Sequence, residues 1–266
     1  MERYFKQSGL QQPFHALQVS GWITISSNTL AAYALLLPAV KYTNQIAFGS
    51  AFSIALILVL VSGYQLTSSD PTDYELGYDE ENNKHCNYCQ KAVHFSSKHC
   101  RRCDRCVVRF DHHCKWVNNC VGAHNYKTFC FLIASVCLFF SIMTSQSLYL
   151  VVEAINELEL PSNHYLPEDL VIVLIFVCLL ESVAMLSLIL MLIGLHLWLN
   201  MKGITTYEMI VNSSSVAPKR EKNLNNVNDQ SDNPPENQRI ALETNQNVSF
   251  DQDRHEEMVN SNLCPN

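Results

Sequence analysis

The chain has no basic excess. Its 266 residues carry 18 Lys and Arg against 25 Asp and Glu, a net charge of -7 at pH 7. Proteins that grip nucleic acid through its phosphates show the opposite balance, so that class is set aside. The N-terminus lacks the basic, apolar and small-residue succession of a cleavable signal peptide, and the last six residues, SNLCPN, carry no retention signal. With no such leader, the eleven cysteines do not read as a secreted disulfide framework. Reduced thiols in the cytosol, available to metal or chemistry, are the better reading.

Polarity is distributed very unevenly. A mean hydropathy of +0.00 averages long apolar blocks with two polar stretches, about 67 to 127 and everything from 212 on. Four blocks stand out: Val19 to Val40, Ile46 to Leu66, Thr128 to Val152 and Leu170 to Leu199. The first is the weakest, because Thr24, Ser26, Ser27, Asn28 and Thr29 interrupt it. The last two are too long and too apolar on every face for core helices of a soluble domain. An all-α polytopic membrane protein with four transmembrane helices is expected, the first pair within 19–66 and the second within 128–200.

Lys and Arg set the orientation. The segment between blocks two and three holds nine (Lys84, Lys91, Lys98, Arg101, Arg102, Arg105, Arg109, Lys115 and Lys127), the NELELPSNHYLPED segment none, and the turn after block one only Lys41. The positive-inside rule puts residues 1–18, the 67–127 loop and the C-terminal part in the cytosol, and residues 153–169 in the lumen. Glu181 and His196 fall inside block four, where function and helix–helix packing are equally good readings. Residues 212–266 read as a disordered tail.

Seven cysteines lie within 35 residues of the 67–127 loop. Cys86-x2-Cys89-x9-His99-x6-Cys106 forms one four-ligand set. A shift of fourteen residues gives a second with identical gaps, Cys100-x2-Cys103-x9-His113-x6-Cys120. Three thiolates and one imidazole make a closed structural zinc shell. Other pairings are possible, but one rule then covers eight residues and predicts two interlocked modules. His85, His94, His112 and Cys114 remain outside the rule. The first two read as surface imidazoles. Cys114 reads as a nucleophile, with His112 to accept its proton and Asp111 to orient His112. Lys115 and Arg109 would favour the thiolate. The plainer alternative is a spare cysteine that the fold tolerates.

The segment from Cys86 to Phe129, with DHHC at 111–114, NNCVG at 118–122 and Asn125-x3-Phe129, resembles the DHHC-type protein S-acyltransferases. TTYE at 205–208 resembles the family's short motif downstream of the last span. Lys115 stands where many members carry proline, and DHHCKW resembles one branch of the family. The resemblance implies ping-pong transfer of a long-chain acyl group, typically palmitoyl, from acyl-CoA to Cys114 and on to cysteines of membrane-associated proteins. It further implies support of Asp111 by Thr206, and Trp116 and Phe129 near the acyl chain. Such a chain is poorly soluble, each methylene favouring an apolar setting by about 0.8 kcal/mol, so a thiol at the bilayer surface suits the chemistry. Endomembranes (ER or Golgi) or the plasma membrane are the expected locations. The competing function is a membrane-embedded adaptor whose zinc loop binds partners and whose acyl transfer is weak or vestigial.

Overall fold

A computed structural model describes residues 6–74, 83–156 and 167–216. Most of the acidic segment and residues 217–266 of the tail lie outside these residues, so the readings made for them are untouched here. Within the described residues, three helices are long and apolar enough to cross a membrane: α3 (Tyr42–Ser68), α4 (Tyr126–Ile155) and α5 (Glu168–Lys202). At 1.5 Å per residue each exceeds the roughly 30 Å of a hydrocarbon core.

The weak first block is a helix too, but not a uniform one. α1 (Ala16–Ala31) widens into a π-helical turn, Ala32–Leu36, and ends in the short α2 (Leu37–Ala39). The cause is Pro38, which has no N–H for the carbonyl one turn back and whose ring needs room there; the wider turn supplies it. Ser27, Asn28 and Thr29, among the polar residues that interrupt the block, find hydrogen-bond partners. Thr29 Oγ1 donates to the Ile25 carbonyl (2.7 Å), and Asn28 Nδ2 donates to Thr24 O (2.9 Å) and across to Glu181 Oε1 on α5 (2.9 Å). Glu181 thus joins two helices. Leu36, Phe52, Phe139, Phe140, Met143 and Ile175 form the buried seam of this helical bundle. At its far end Lys41 pairs with Glu153 at 2.6 Å.

The all-α expectation needs correction. The segment between α3 and α4 is built on three antiparallel hairpins: β1–β2 (Asn83–Cys86, Lys91–His94), β3–β4 (Lys98–Cys100, Arg105–Val107) and β5–β6 (His112–Cys114, Asn119–Val121). Strands of three or four residues are too short to show alternation in the sequence. Their registers are copies at a fourteen-residue interval. Lys84 faces Val93, Lys98 faces Val107 and His112 faces Val121; Cys86 faces Lys91, Cys100 faces Arg105 and Cys114 faces Asn119. Val93, Val107 and Val121 are all fully buried. Each turn carries one left-handed residue at the same place, Gln90, Asp104 and Asn118. The repeat is therefore threefold where spacing alone revealed two copies.

Arg105 and Asn119 lock the hairpins to the end of α3. Asn119 Nδ2 donates to Leu66 O (3.0 Å) and Ser69 O (2.8 Å), taking up carbonyls that a helix C-terminus leaves open. Its Oδ1 accepts from the buried Arg105 guanidinium, which also bonds Gln7 O (2.8 Å) and pairs with Asp70 (3.0 Å). The N-terminal segment straps the third hairpin from outside. Gly9 is pressed so close that a methyl group there would lie 2.0 Å from the Val117 carbonyl.

After α5, Gly203 adopts φ 68° and stops the helix with a left-handed residue. The chain turns back into α6 (Thr206–Val216), which carries helical structure five residues past the expected start of the tail at 212.

Candidate active site and metal centres

Both four-residue sets predicted from spacing converge in space. In each, the four ligand atoms lie within 4.8 Å of one another. Sulfur to Nδ1 distances are 3.3 Å (Cys89–His99), 3.9 Å (Cys106–His99), 3.4 Å (Cys103–His113), 3.8 Å (Cys120–His113) and 3.9 Å (Cys100–His113), and Cys89 to Cys106 is 3.7 Å. Tetrahedral zinc, with Zn–S about 2.3 Å and Zn–N about 2.0 Å, separates sulfur from sulfur by about 3.8 Å and sulfur from nitrogen by about 3.5 Å. The donors fit such an ion. His99 also presents Nε2 to Asp104 Oδ1 at 3.4 Å, the usual outer support of a ligating imidazole.

The sets are shared between hairpins. The first takes Cys86 and Cys89 from the turn of hairpin one, and His99 and Cys106 from the strands of hairpin two. The second takes Cys100 and Cys103 from the turn of hairpin two, and His113 and Cys120 from the strands of hairpin three. His85, at the matching strand position of hairpin one, is exposed, and His94 bonds Ser96 at 2.7 Å; neither joins a set.

Asp111, His112 and Cys114 lie together on hairpin three. Asp111 is 3% exposed, and its Oδ2 meets His112 Nδ1 at 2.7 Å. Cys114 follows two residues on along the same short strand, and its thiol favours the charged form of the imidazole. Burial disfavours the imidazolium, but the bonds to Asp111 and Cys114 outweigh it and raise His112 to about 9. Burial works against the Asp111 and Cys114 anions as well. Hydrogen bonds from His112 and Thr206 nevertheless hold the Asp111 carboxyl below its ordinary range, and His112 with the Val117 and Trp116 amides pulls the Cys114 thiol down.

Thr206 bonds Asp111 twice, through its N–H to Oδ1 (2.8 Å) and its hydroxyl to Oδ2 (3.0 Å). These contacts sit at the first turn of α6, where open amides favour an anion. Thr205 and Glu208 build that turn: Thr205 N–H donates to Glu208 Oε2 (2.7 Å) and Glu208 N–H to Thr205 Oγ1 (3.1 Å). This is the reciprocal capping of an S/T-x-x-E pattern, and it supplies a reason for the first and last residues of TTYE.

Phe129 is buried with its ring edge-on to His112 at 5.2 Å. Behind it lies His196, which the sequence left between function and packing. Its ring is 4.8 Å from Phe129, and its Nδ1 contacts the Tyr126 hydroxyl at 3.1 Å. Trp116 is 52% exposed and leans over Gly21 of α1. Lys115 is exposed, as are Asn87 and Arg101 at the same point of the other two turns. Beneath the site, Cys114 packs into an apolar cluster with Leu66, Phe129 and Ile133, flanked by Ile189, Leu192 and Ile193 of α5.

Such an assembly, a cysteine, a histidine and a carboxylate side by side on a cysteine–histidine metal-binding domain above apolar helices, fits a membrane-bound transferase. Residues 79–213, just over half of the chain, match the family model of the DHHC palmitoyltransferase domain. The chain belongs to the DHHC palmitoyltransferase family. Comparison with curated proteins gives no match.

Proposed function

We propose that the protein is a protein S-acyltransferase that takes a long-chain acyl group from acyl-CoA onto Cys114 and passes it to a cysteine of a membrane-associated protein. The placement of Cys114 on one strand with His112, which Asp111 bonds at 2.7 Å, carries this reading, because it sets the most nucleophilic side chain beside a base whose tautomer Asp111 sets. In the first step the Cys114 sulfur attacks the thioester carbonyl. Its proton has moved to His112, the C–S bond to CoA breaks, and His112 returns the proton to the CoA sulfur. In the second step His112 takes the proton of the acceptor cysteine, whose sulfur displaces Cys114. Asp111 stabilises the imidazolium in both, and Thr206 holds Asp111.

The apolar cluster under Cys114 supports an acyl chain lying between α3, α4 and α5. In this reading Phe129 is a wall of that region and Trp116 covers its rim. Each cysteine–histidine set holds one structural zinc ion through Cys86, Cys89, His99 and Cys106, or through Cys100, Cys103, His113 and Cys120. The metal keeps the hairpins folded and takes no part in the transfer. The Ala16–Ala39 helical run is a fourth span, and the hairpins, α6 and both termini face the cytosol, as the basic loop residues favour. The DHHCKW stretch supports membership of that branch of the family.

The test is incubation with a clickable long-chain acyl-CoA. Wild type acquires a hydroxylamine-sensitive label and Cys114→Ser does not. A Cys114→Ser protein that labels fully would remove Cys114 from the role, and a cellular effect that persists in Cys114→Ala would favour the adaptor function.

A further inference from the structure

His196 is a buried imidazole that the transfer steps leave unused. It ends a stripe on α5, Ile189, Leu192, Ile193 and His196, whose i, i+3, i+4, i+7 spacing makes one helix face. The first three flank the apolar cluster that holds Cys114. A fourth apolar residue would fit that face at no polar cost, since a buried imidazole needs a hydrogen-bond partner. His196 is 4% exposed, and its Nδ1 meets the Tyr126 hydroxyl at 3.1 Å.

This bond ties α5 to α4 at the level of the site. Tyr126 and Phe129 stand three residues apart on α4, where side chains share a face. With His196 they close a triangle of rings, whose centroids are 6.0 Å (Tyr126–His196), 4.8 Å (His196–Phe129) and 6.1 Å (Tyr126–Phe129) apart. Phe129 in turn sets its ring against His112, at 5.2 Å with the planes 73° apart. His196 itself stays 6.1 Å from His112, so its influence there passes through Phe129. Asp111 holds His112 by one ring nitrogen, and a ring held at one atom still pivots about it. The packed ring of Phe129 removes that freedom, and the Tyr126–His196 bond keeps Phe129 from yielding.

We propose that His196 is a positioning residue for acyl transfer: held by Tyr126, it braces Phe129 against His112 and so fixes the imidazole that serves Cys114. Groups that move a proton must be placed closely, and a displacement of about 1 Å costs up to about a hundredfold in rate. The inference rests on Cys114 being the acylated residue and His112 its base.

Tyr126→Phe is the decisive variant, because it keeps every ring and removes only the hydroxyl. In single-turnover loading of the full-length protein with clickable palmitoyl-CoA, it should load about fivefold more slowly than wild type, with half-saturation and final extent unchanged. A wild-type rate, or a change confined to half-saturation, overturns the proposal. His196→Phe should be as slow, and adding Tyr126→Phe to it should cost nothing more, since the hydroxyl acts through the imidazole. Losses that add overturn the proposal. If His196→Phe is recovered with less metal than wild type, His196→Asn takes its place in the cycle with the same expected and overturning results. A Cys114→Ser protein assayed alongside separates the two ideas: retention of label there refutes the role of Cys114 itself, whereas loss of label there with Tyr126→Phe loading at the wild-type rate refutes only the brace.

Discussion

Thr206 holds both oxygens of Asp111, one through its amide and the other through its hydroxyl, across 95 residues of sequence. The second bond is the one a side-chain change can remove. Thr206→Val keeps the shape and the amide bond but leaves a buried carboxylate one donor short. A lost hydrogen bond to a charged group is worth about 1.5–3 kcal/mol, so the acyl-loading rate should fall about tenfold or more, while Thr206→Ser stays within a few-fold of wild type. Single-turnover labelling of the three proteins measures this.

Cys114 should be reactive at a pH where ordinary thiols are not. Its thiol is held below the usual value of 9.0 despite burial, chiefly because His112 favours the anion. Alkylation by iodoacetamide should therefore persist as pH falls below that of a free cysteine. In His112→Ala burial is left unopposed, and the alkylation profile moves to higher pH. Peptide mass spectrometry across a pH series reads the shift at Cys114 directly.

Metal content should depend on a residue that is not itself a ligand. Asp104 supports His99 from outside at 3.4 Å. Asp104→Asn keeps a residue suited to the left-handed turn but removes the charge. Loss of such a partner typically weakens metal binding by about 10–100-fold. Chelator titration followed by metal analysis should show one ion leaving early and the other, held by the Cys100 set, leaving as in wild type.

Arg105 is the tie on which hairpin two, hairpin three and the start of the loop converge. Arg105→Met would leave the Asn119 side-chain oxygen with only the Cys120 N–H, the Gln7 carbonyl without the guanidinium donor and Asp70 without its cation. Breaking one side of a buried charged network costs on the order of 3 kcal/mol. A lower thermal midpoint in detergent micelles, together with loss of acyl loading, is expected.

The metal sets were legible because ligation demands particular residue types, and each hairpin fixes the gaps between them. The third copy was not, since Val117 stands where the pattern needs cysteine and no ligands follow. Only the backbone register and the three left-handed residues reveal it. Arg105 was one basic residue among nine, with nothing to mark it as buried. Its partners, Asp70 and Asn119, lie 35 residues before it and 14 after it. The long spans announced themselves through composition. The first helix was the weakest signal, because polar residues such as Ser27, Asn28 and Thr29, which bond within the helix or across to Glu181, interrupt its apolar run. For His196 the sequence left two readings, and the structure places it behind Phe129, against Tyr126.

The clasp between Asn119 and the end of α3 makes the protein a ruler. Asn119 faces Cys114 across hairpin three, and its amide grips the carbonyls that close a membrane-length helix. The distance from the end of that helix to the sulfur is thereby set by a side-chain link rather than by a loose loop. Under the proposed transfer, an acceptor cysteine would be screened by its reach above the lipid before any sequence around it is read, and two proteins with identical flanking residues would differ as substrates if one held its cysteine a few residues too far from its own anchor.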